Sequence, residues 1–462
     1  MSSLAVLRTG RLGPGGLASS SYALPCLSRI GQTRSAGVVS KKPSNDEKKK
    51  VAGHYRKSTT AQKKDEKFHL PPDKRVGSFK PISVNMLPAE VFESDKRTTL
   101  HLPAFHPEVL TQEAISKAMT FPAGPNDAIN AYGLPKNMLV EYRVLSKPCS
   151  VVRDVTIKIV DTLDASSLTP SKETRLVLTG NNGCGKSHLL LQAVEYCTMK
   201  DWIVLYIPRA INTVNSTTAY VYDPTTQTYH QPAFSQQLLK RFLSVNLTVL
   251  QAMVTQEASH IESRTVPART PLPSMIQMGI DDSHLAPFVL SALMNELSRQ
   301  SKHPVLLAVD DFQALYSTTL YRDPHFKPLM SHSLSVPRLL LEFASGIRSF
   351  ARGAVVGALS TSDTQFRLPL ELREALGLPE FRFAGPYVHR NRAFVEYAKG
   401  LRNFPVPDQL SVNEAASVYE VWQQDKALHS SYNDETFMSK YTEAGGNARN
   451  FVWKGLLATT AL

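Results

Sequence analysis

Between Gly180 and Ser187 the chain reads Gly-Asn-Asn-Gly-Cys-Gly-Lys-Ser, which fits G-x-x-x-x-G-K-[ST] at every fixed position. The chemistry that needs this spacing is phosphate binding. Glycine and asparagine tolerate left-handed backbone angles, so the N–H groups of Gly180, Asn181, Asn182, Gly183, Cys184 and Gly185 can turn inward around an anion. Lys186 would reach the β- and γ-phosphates, and the Ser187 hydroxyl would ligate Mg2+. His188 extends the same binding stretch into a helix whose positive end points at the anion.

A second landmark lies further along. The apolar run Val305–Val309 ends in Asp310 and Asp311. Asp310 would hold the Mg2+ shell opposite Ser187. Asp311 is the one catalytic candidate, placed where a hydrolase of the additional-strand type commonly has Glu to orient the attacking water. Aspartate is one methylene shorter, so weak or no nucleotide hydrolysis is expected. Ser360, Thr361 and Ser362 end another apolar run, Ala354–Leu359. They read either as hydroxyls near a γ-phosphate or as a turn after a strand. Arg449, in Glu443-Ala444-Gly445-Gly446-Asn447-Ala448-Arg449, either reaches back to the phosphates or sits on a capped helix. Arg367 and Arg373 are candidates to reach a neighbour's nucleotide in a ring, with surface ion pairing as the alternative.

Positioning these groups takes a parallel sheet. Leu176–Thr179, Ile203–Ile207, Val305–Val309 and Ala354–Leu359 are continuous apolar runs alternating with helical stretches, the mark of strands buried on both faces. The fold expected is an α/β P-loop NTPase sheet covered by helices, with a small C-terminal helical domain and an extended basic N-terminal arm. The spacing predicts helices over Pro107–Met119, Asn137–Val144, Ala233–Met253, His284–Gln300 and Pro337–Arg348. It predicts a strand over Val151–Val160. From about residue 388 the chain turns helical: Arg390–Leu401, Ser411–Gln423, Asn433–Tyr441 and Ala448–Leu457. The domains expected are a presequence (1–40), a basic arm (41–67), a proline-rich extended segment (68–135), the NTPase domain (136–387, with an insertion at 208–283) and a C-terminal lid (388–462).

Charge separates the arm from the body. The net charge is +12, of which +10 falls in residues 1–67, with 14 basic and 4 acidic residues. Residues 1–40 hold Arg8, Arg11, Arg29 and Arg34 and no acidic residue, as in a mitochondrial presequence. The lysines of 41–67 suit RNA phosphates or a solvated tail. No apolar run is long enough to span a membrane. The four cysteines have no C-x-x-C spacing, which points to a reducing compartment rather than a disulfide framework.

The ordered set GNNGCGKS, LLAVDDFQALY (with Phe312 and Tyr316) and the final GGNAR resembles the death-associated protein 3 family, the nucleotide-binding protein of the mitochondrial small ribosomal subunit. The resemblance runs from about residue 75 to the end. It implies an AAA-like core and a bound guanine nucleotide, GTP or GDP, with ATP as the alternative, and Mg2+. It implies mitochondrial small-subunit rRNA and neighbouring mitochondrial ribosomal proteins as partners, a bridge to the large subunit, and a place in the matrix. It carries the phosphate-loop roles to Gly180–Ser187, the acidic strand end to Asp310 and Asp311, and the late arginine to Arg449. No N-K-x-D guanine motif occurs in the chain, so guanine preference comes from the resemblance alone. Base recognition would fall around Pro148–Arg153. The competing function is a matrix ATPase or GTPase that remodels protein or nucleic acid.

Overall fold

A computed structural model of the protein describes residues 100–460, apart from 263, 380–384, 386 and 429–432. The presequence and the basic arm lie outside the described residues. Five strands make the central sheet: β1 (Arg175–Thr179), β2 (Ile203–Ile207), β3 (Val305–Val309), β4 (Gly353–Ala358) and β5 (Arg402–Pro405). All are parallel, in the order β5-β1-β4-β3-β2. One strand, β4, therefore stands between the loop strand β1 and the acidic strand β3. Every residue of β1 to β4 is buried, which is why these strands read as unbroken apolar runs. Gly353 opens β4 at φ +127°, where a Cβ would sit 2.0 Å from the Val305 carbonyl oxygen, so only glycine lets β4 start against β3.

The helices used below are α1 (Lys136–Val144), α2 (Asp154–Ser166), α3 (Lys186–Met199), α4 (Pro232–Leu250), α5 (Leu272–Asp281), α6 (Ala286–Arg299), α7 (Ser335–Ser345), α8 (Arg392–Ala398), α9 (Val412–Gln424) and α10 (Asp434–Glu443). The described part of the proline-rich segment lies across its own domain. Phe105, Met119, Phe121, Ile129 and Tyr132 join the main core, and the Tyr132 hydroxyl donates to the Val204 carbonyl at 2.6 Å. The insertion adds two hairpins, Val221–Asp223 with Thr228–His230 and Ser259–Ile261 with Arg264–Val266, while α4 and α5 pack on each other and on α6.

Three expectations need correction. Of Val151–Val160, expected to be a strand, only Val151 is one, as the last residue of the short strand Cys149–Val151, and α2 follows. The β-branched residues that suggested a strand, Val155, Thr156, Ile159 and Val160, are buried at helical spacing, so tertiary burial overrides propensity. The Thr156 hydroxyl also accepts the Arg153 N–H at 3.0 Å, which starts the helix. The stretch Pro107–Met119 forms two 3-10 turns, Pro107–Val109 and Gln112–Ala114, and enters a strand at Ala118. Finally, the chain after residue 388 is not wholly helical. It returns to the sheet as β5, a short, polar, proline-ended edge strand with no alternating apolar pattern to announce it.

One buried charge in α3 makes the fold pH-sensitive. Glu195 is fully enclosed and one of its carboxylate oxygens meets no hydrogen-bond partner. Burial, helped by the Asp127 charge, pushes its pKa up to about 8. The folded state thus prefers the protonated acid. Its penalty is absent below the unfolded pKa near 4.5 and grows as the pH rises through about 8. Glu195→Gln should raise Tm at pH 8.5 and change it little at pH 5, measured by thermal melting in both buffers.

Candidate functional site

The glycine-rich loop joins β1 to α3, with Gly185 as the N-cap and Lys186 as the first helical residue. Lys186 is buried, and its Nζ donates to the carbonyls of Gly180 at 2.8 Å and Asn181 at 2.7 Å. The loop thereby turns its carbonyls onto the lysine. Among the described residues no protein acceptor meets the backbone N–H groups of Gly183, Gly185, Lys186 and Ser187. A ring of unpaired N–H groups, a helix N-terminus and one ammonium fit an anion bearing several oxygens.

Strand β3 delivers Asp310 beside this loop. Burial and the neighbouring Asp311 push Asp310 up to about 7, against a hydrogen bond from Ser187 and the Lys186 charge. The Asp311 N–H donates to Asp310 Oδ1 at 2.9 Å. Ser187 and Asp310, the two residues expected to hold Mg2+, are thus hydrogen-bonded to each other. Among the described residues no three His, Cys, Asp or Glu gather for a metal. A dication here would complete its shell with phosphate oxygens, as Mg2+ characteristically does.

Asp311 is buried with a left-handed backbone (φ +55°). Burial raises its pKa and the Arg209 charge opposes that rise. Arg209 Nε lies 3.6 Å from Asp311 Oδ2. Sequence reading missed Arg209, which follows the proline ending β2 and has no motif to mark it. Ser360 donates its N–H to Gln313 Oε1 at 3.0 Å, and its hydroxyl meets that of Ser362 at 2.9 Å, so the hydroxyl cluster is tied to the turn after Asp311. Arg367 donates to the Thr364 carbonyl in its own turn, and neither it nor Arg373 lines the cavity.

The C-terminal segment and Arg153 together grip the loop at four consecutive residues. Asp408 takes the Asn181 N–H at 2.8 Å and its side-chain amide at 2.7 Å. Asn447 donates to the Asn182 carbonyl at 2.9 Å, and the Arg449 N–H donates to the Gly183 carbonyl at 3.0 Å. The Arg449 guanidinium reaches Asn182 Oδ1 at 3.4 Å. Arg153 donates to the Cys184 carbonyl at 2.9 Å and also binds the Gln409 carbonyl and Glu414. Gly183 (φ +84°) is where the grip is closest: a Cβ there would meet Arg449 Cβ and Asn447 Oδ1, each at 2.6 Å.

These groups surround one cavity of about 480 Å3. Its lining brings together Asn182–His188, Asp310, Asp311, Ser360–Ser362 and Arg449, and it extends to Cys149, Ser150, Val151 and Arg153. The base region expected around Pro148–Arg153 therefore borders the same space as the loop. Arg153, though, is engaged in the grip. The His188 side chain turns from the loop toward Tyr142 and Glu141.

The family model for the mitochondrial ribosomal death-associated protein 3 matches residues 150–453. That span begins and ends at this cavity, from Ser150 on its wall to Trp453 beside it. Curated relatives are the small ribosomal subunit protein mS29 of Neurospora crassa, 26% identical over 73% of this chain and 74% of its own length, and that of Schizosaccharomyces pombe, 24% identical over 75% and 72%. The mS29 of Bos taurus is 25% identical over 66% of this chain and 77% of its own.

Proposed function

The chain belongs to the mitochondrial ribosomal death-associated protein 3 family, and from that premise we propose that it is a ribosomal protein built around an enclosed purine nucleotide. It is a structural constituent of the small subunit of the mitochondrial ribosome, in the matrix, and serves translation there. The nucleotide is GTP or GDP, with ATP as the alternative, and is held with Mg2+. Ser187 and Asp310 would hold the ion, and Lys186 with the loop N–H groups would hold the phosphates. A bound ion there neutralises phosphate charge. The core is of the AAA-like, additional-strand type, a reading supported by β4 lying between the loop strand and the acidic strand.

The observation that carries an enclosed rather than a cycling nucleotide is the four-residue grip on the loop. Asn181, Asn182, Gly183 and Cys184 are each bonded to the C-terminal segment or to Arg153. Opening the site means breaking these bonds together, which favours slow exchange. Asp311, ion-paired with Arg209 and shorter than glutamate, is poorly placed to drive hydrolysis. Small-subunit rRNA and neighbouring ribosomal proteins are the partners, with a bridge to the large subunit.

Sedimentation of a mitochondrial lysate with and without RNase tests the reading, together with chromatography of nucleotide released on denaturation. The protein should travel with small subunits, leave them after RNase, and release about one purine nucleotide per chain. Migration away from subunits with rapid turnover by the purified chain would instead establish a matrix NTPase.

A further inference from the structure

The cavity has two unlike ends. At the sheet edge it is polar, with Lys186, Ser187, Asp310 and Asp311. Beside the start of α3 its walls are apolar: Met138, Leu145, Val151, Val421, Trp422 and Val452. An apolar slot of this kind, opening from a phosphate loop, suits a flat heterocycle. Among the described residues one carboxylate lines this end, that of Glu141 on α1.

Glu141 is held from two sides. Its Oε1 accepts from Trp453 Nε1 at 2.6 Å, and its Oε2 meets His188 Nε2 at 3.3 Å. Its side chain is 14% exposed. A carboxylate offers about four lone-pair sites. Trp453 and His188 use one on each oxygen, which leaves one on each. The result is a planar pair of acceptors whose plane is fixed by a tryptophan of the C-terminal segment and by the residue that follows Ser187. Two adjacent donors on one edge of a flat ring complement such a pair. Guanine presents that edge, with N1–H beside the exocyclic amine. Adenine presents an acceptor at N1, which a carboxylate repels.

We propose that Glu141 is the base-reading residue of this site and selects guanine through N1–H and the exocyclic amine. Trp453 and His188 are positioning residues that fix its plane. The inference rests on the nucleotide reading above and deepens it. It also gives a chain without N-K-x-D a source of guanine preference: a carboxylate brought to the base by a helix instead of by a loop motif.

The test is calorimetric titration of the full chain and of Glu141→Gln with GDP, IDP and ADP in Mg2+, after thermal melting of both proteins. Glutamine keeps an acceptor for Trp453 but cannot present two acceptors to the base. The wild-type chain should prefer GDP to ADP, with IDP, which lacks the amine, between them. In Glu141→Gln the GDP affinity should fall about ten- to a hundredfold while that for ADP stays within about threefold. Glu141→Asp, which keeps both acceptors but withdraws them by one methylene, should also lose GDP preferentially and serves if the glutamine variant fails to fold. An unchanged GDP-to-ADP ratio, or equal weakening of both, overturns the assignment and leaves the phosphate loop standing. A wild-type chain that binds none of the three overturns the nucleotide reading and this inference with it.

Discussion

Lys186→Ala should lower the affinity for GDP with Mg2+ by about a hundredfold or more, the equivalent of losing one or two charge-assisted hydrogen bonds. The ammonium is already in place, buried and bonded to the carbonyls of Gly180 and Asn181. Its ordering cost is therefore largely met before a phosphate arrives, so its loss is felt almost fully in binding. Alanine also leaves two loop carbonyls without their donor. Lys186→Arg should not restore binding, because a planar fork does not fit the space a point charge occupies inside the loop. Calorimetric titration gives the affinity. Melting with and without GDP gives the linkage: saturating nucleotide should raise the wild-type Tm and leave that of the variant unmoved. An affinity within about threefold of wild type would mean that phosphate is not bound here. If the variant, empty of nucleotide, still assembled normally into small subunits, the nucleotide would have no structural part in the protein.

The centre of this site was legible because its signals are local. Loop spacing, one apolar run before it and a helix after it all fall between Leu176 and Cys197, and the structure keeps that order. The acidic strand end was legible for the same reason: β3 is wholly apolar and stops at Asp310. The grip was not. Asp408 lies 227 residues from Asn181 and Asn447 lies 265 from Asn182, and an isolated aspartate or asparagine carries no periodicity that pairs it with a distant loop. Strand β5 escaped notice because an edge strand needs only one buried face, and Arg402, Asn403 and Pro405 are exposed. In α2 the misreading came from chemistry: valine, isoleucine and threonine favour strands by propensity, yet their spacing here builds the face that packs on α3. For Arg449 the sequence left open a reach to phosphate or a place on a capped helix; it follows the Asn447 cap, and its backbone and side chain also engage the loop itself.

Arg153→Ala should be the most destabilising single change in the grip. One guanidinium serves three parts of the structure: the loop through the Cys184 carbonyl, the segment after β5 through the carbonyls of Pro407 and Gln409, and α9 through Glu414. The Nε–Oε2 distance to Glu414 is 3.2 Å, and the two side chains are 11% and 8% exposed. Removing the arginine leaves a buried carboxylate whose remaining partner, among the described residues, is the Ser411 N–H. Breaking such a pair by deleting one partner costs about 3–5 kcal/mol. Arg153→Lys should recover little, since a single ammonium cannot reach all four acceptors at once. Two readouts separate lost packing from lost charge pairing. Limited proteolysis should release the segment beyond β5 faster in Arg153→Ala, because the bonds that tie it to the loop are weakened. In a double-mutant cycle with Glu414→Gln, which retains the N-terminal cap of α9 but removes the charge, the double variant should be more stable than the sum of the single losses by about 1–3 kcal/mol. Additive losses would mean that the arginine acts by its bulk, and that the loop and the C-terminal helices are joined by Asp408 and Asn447 rather than by this ion pair.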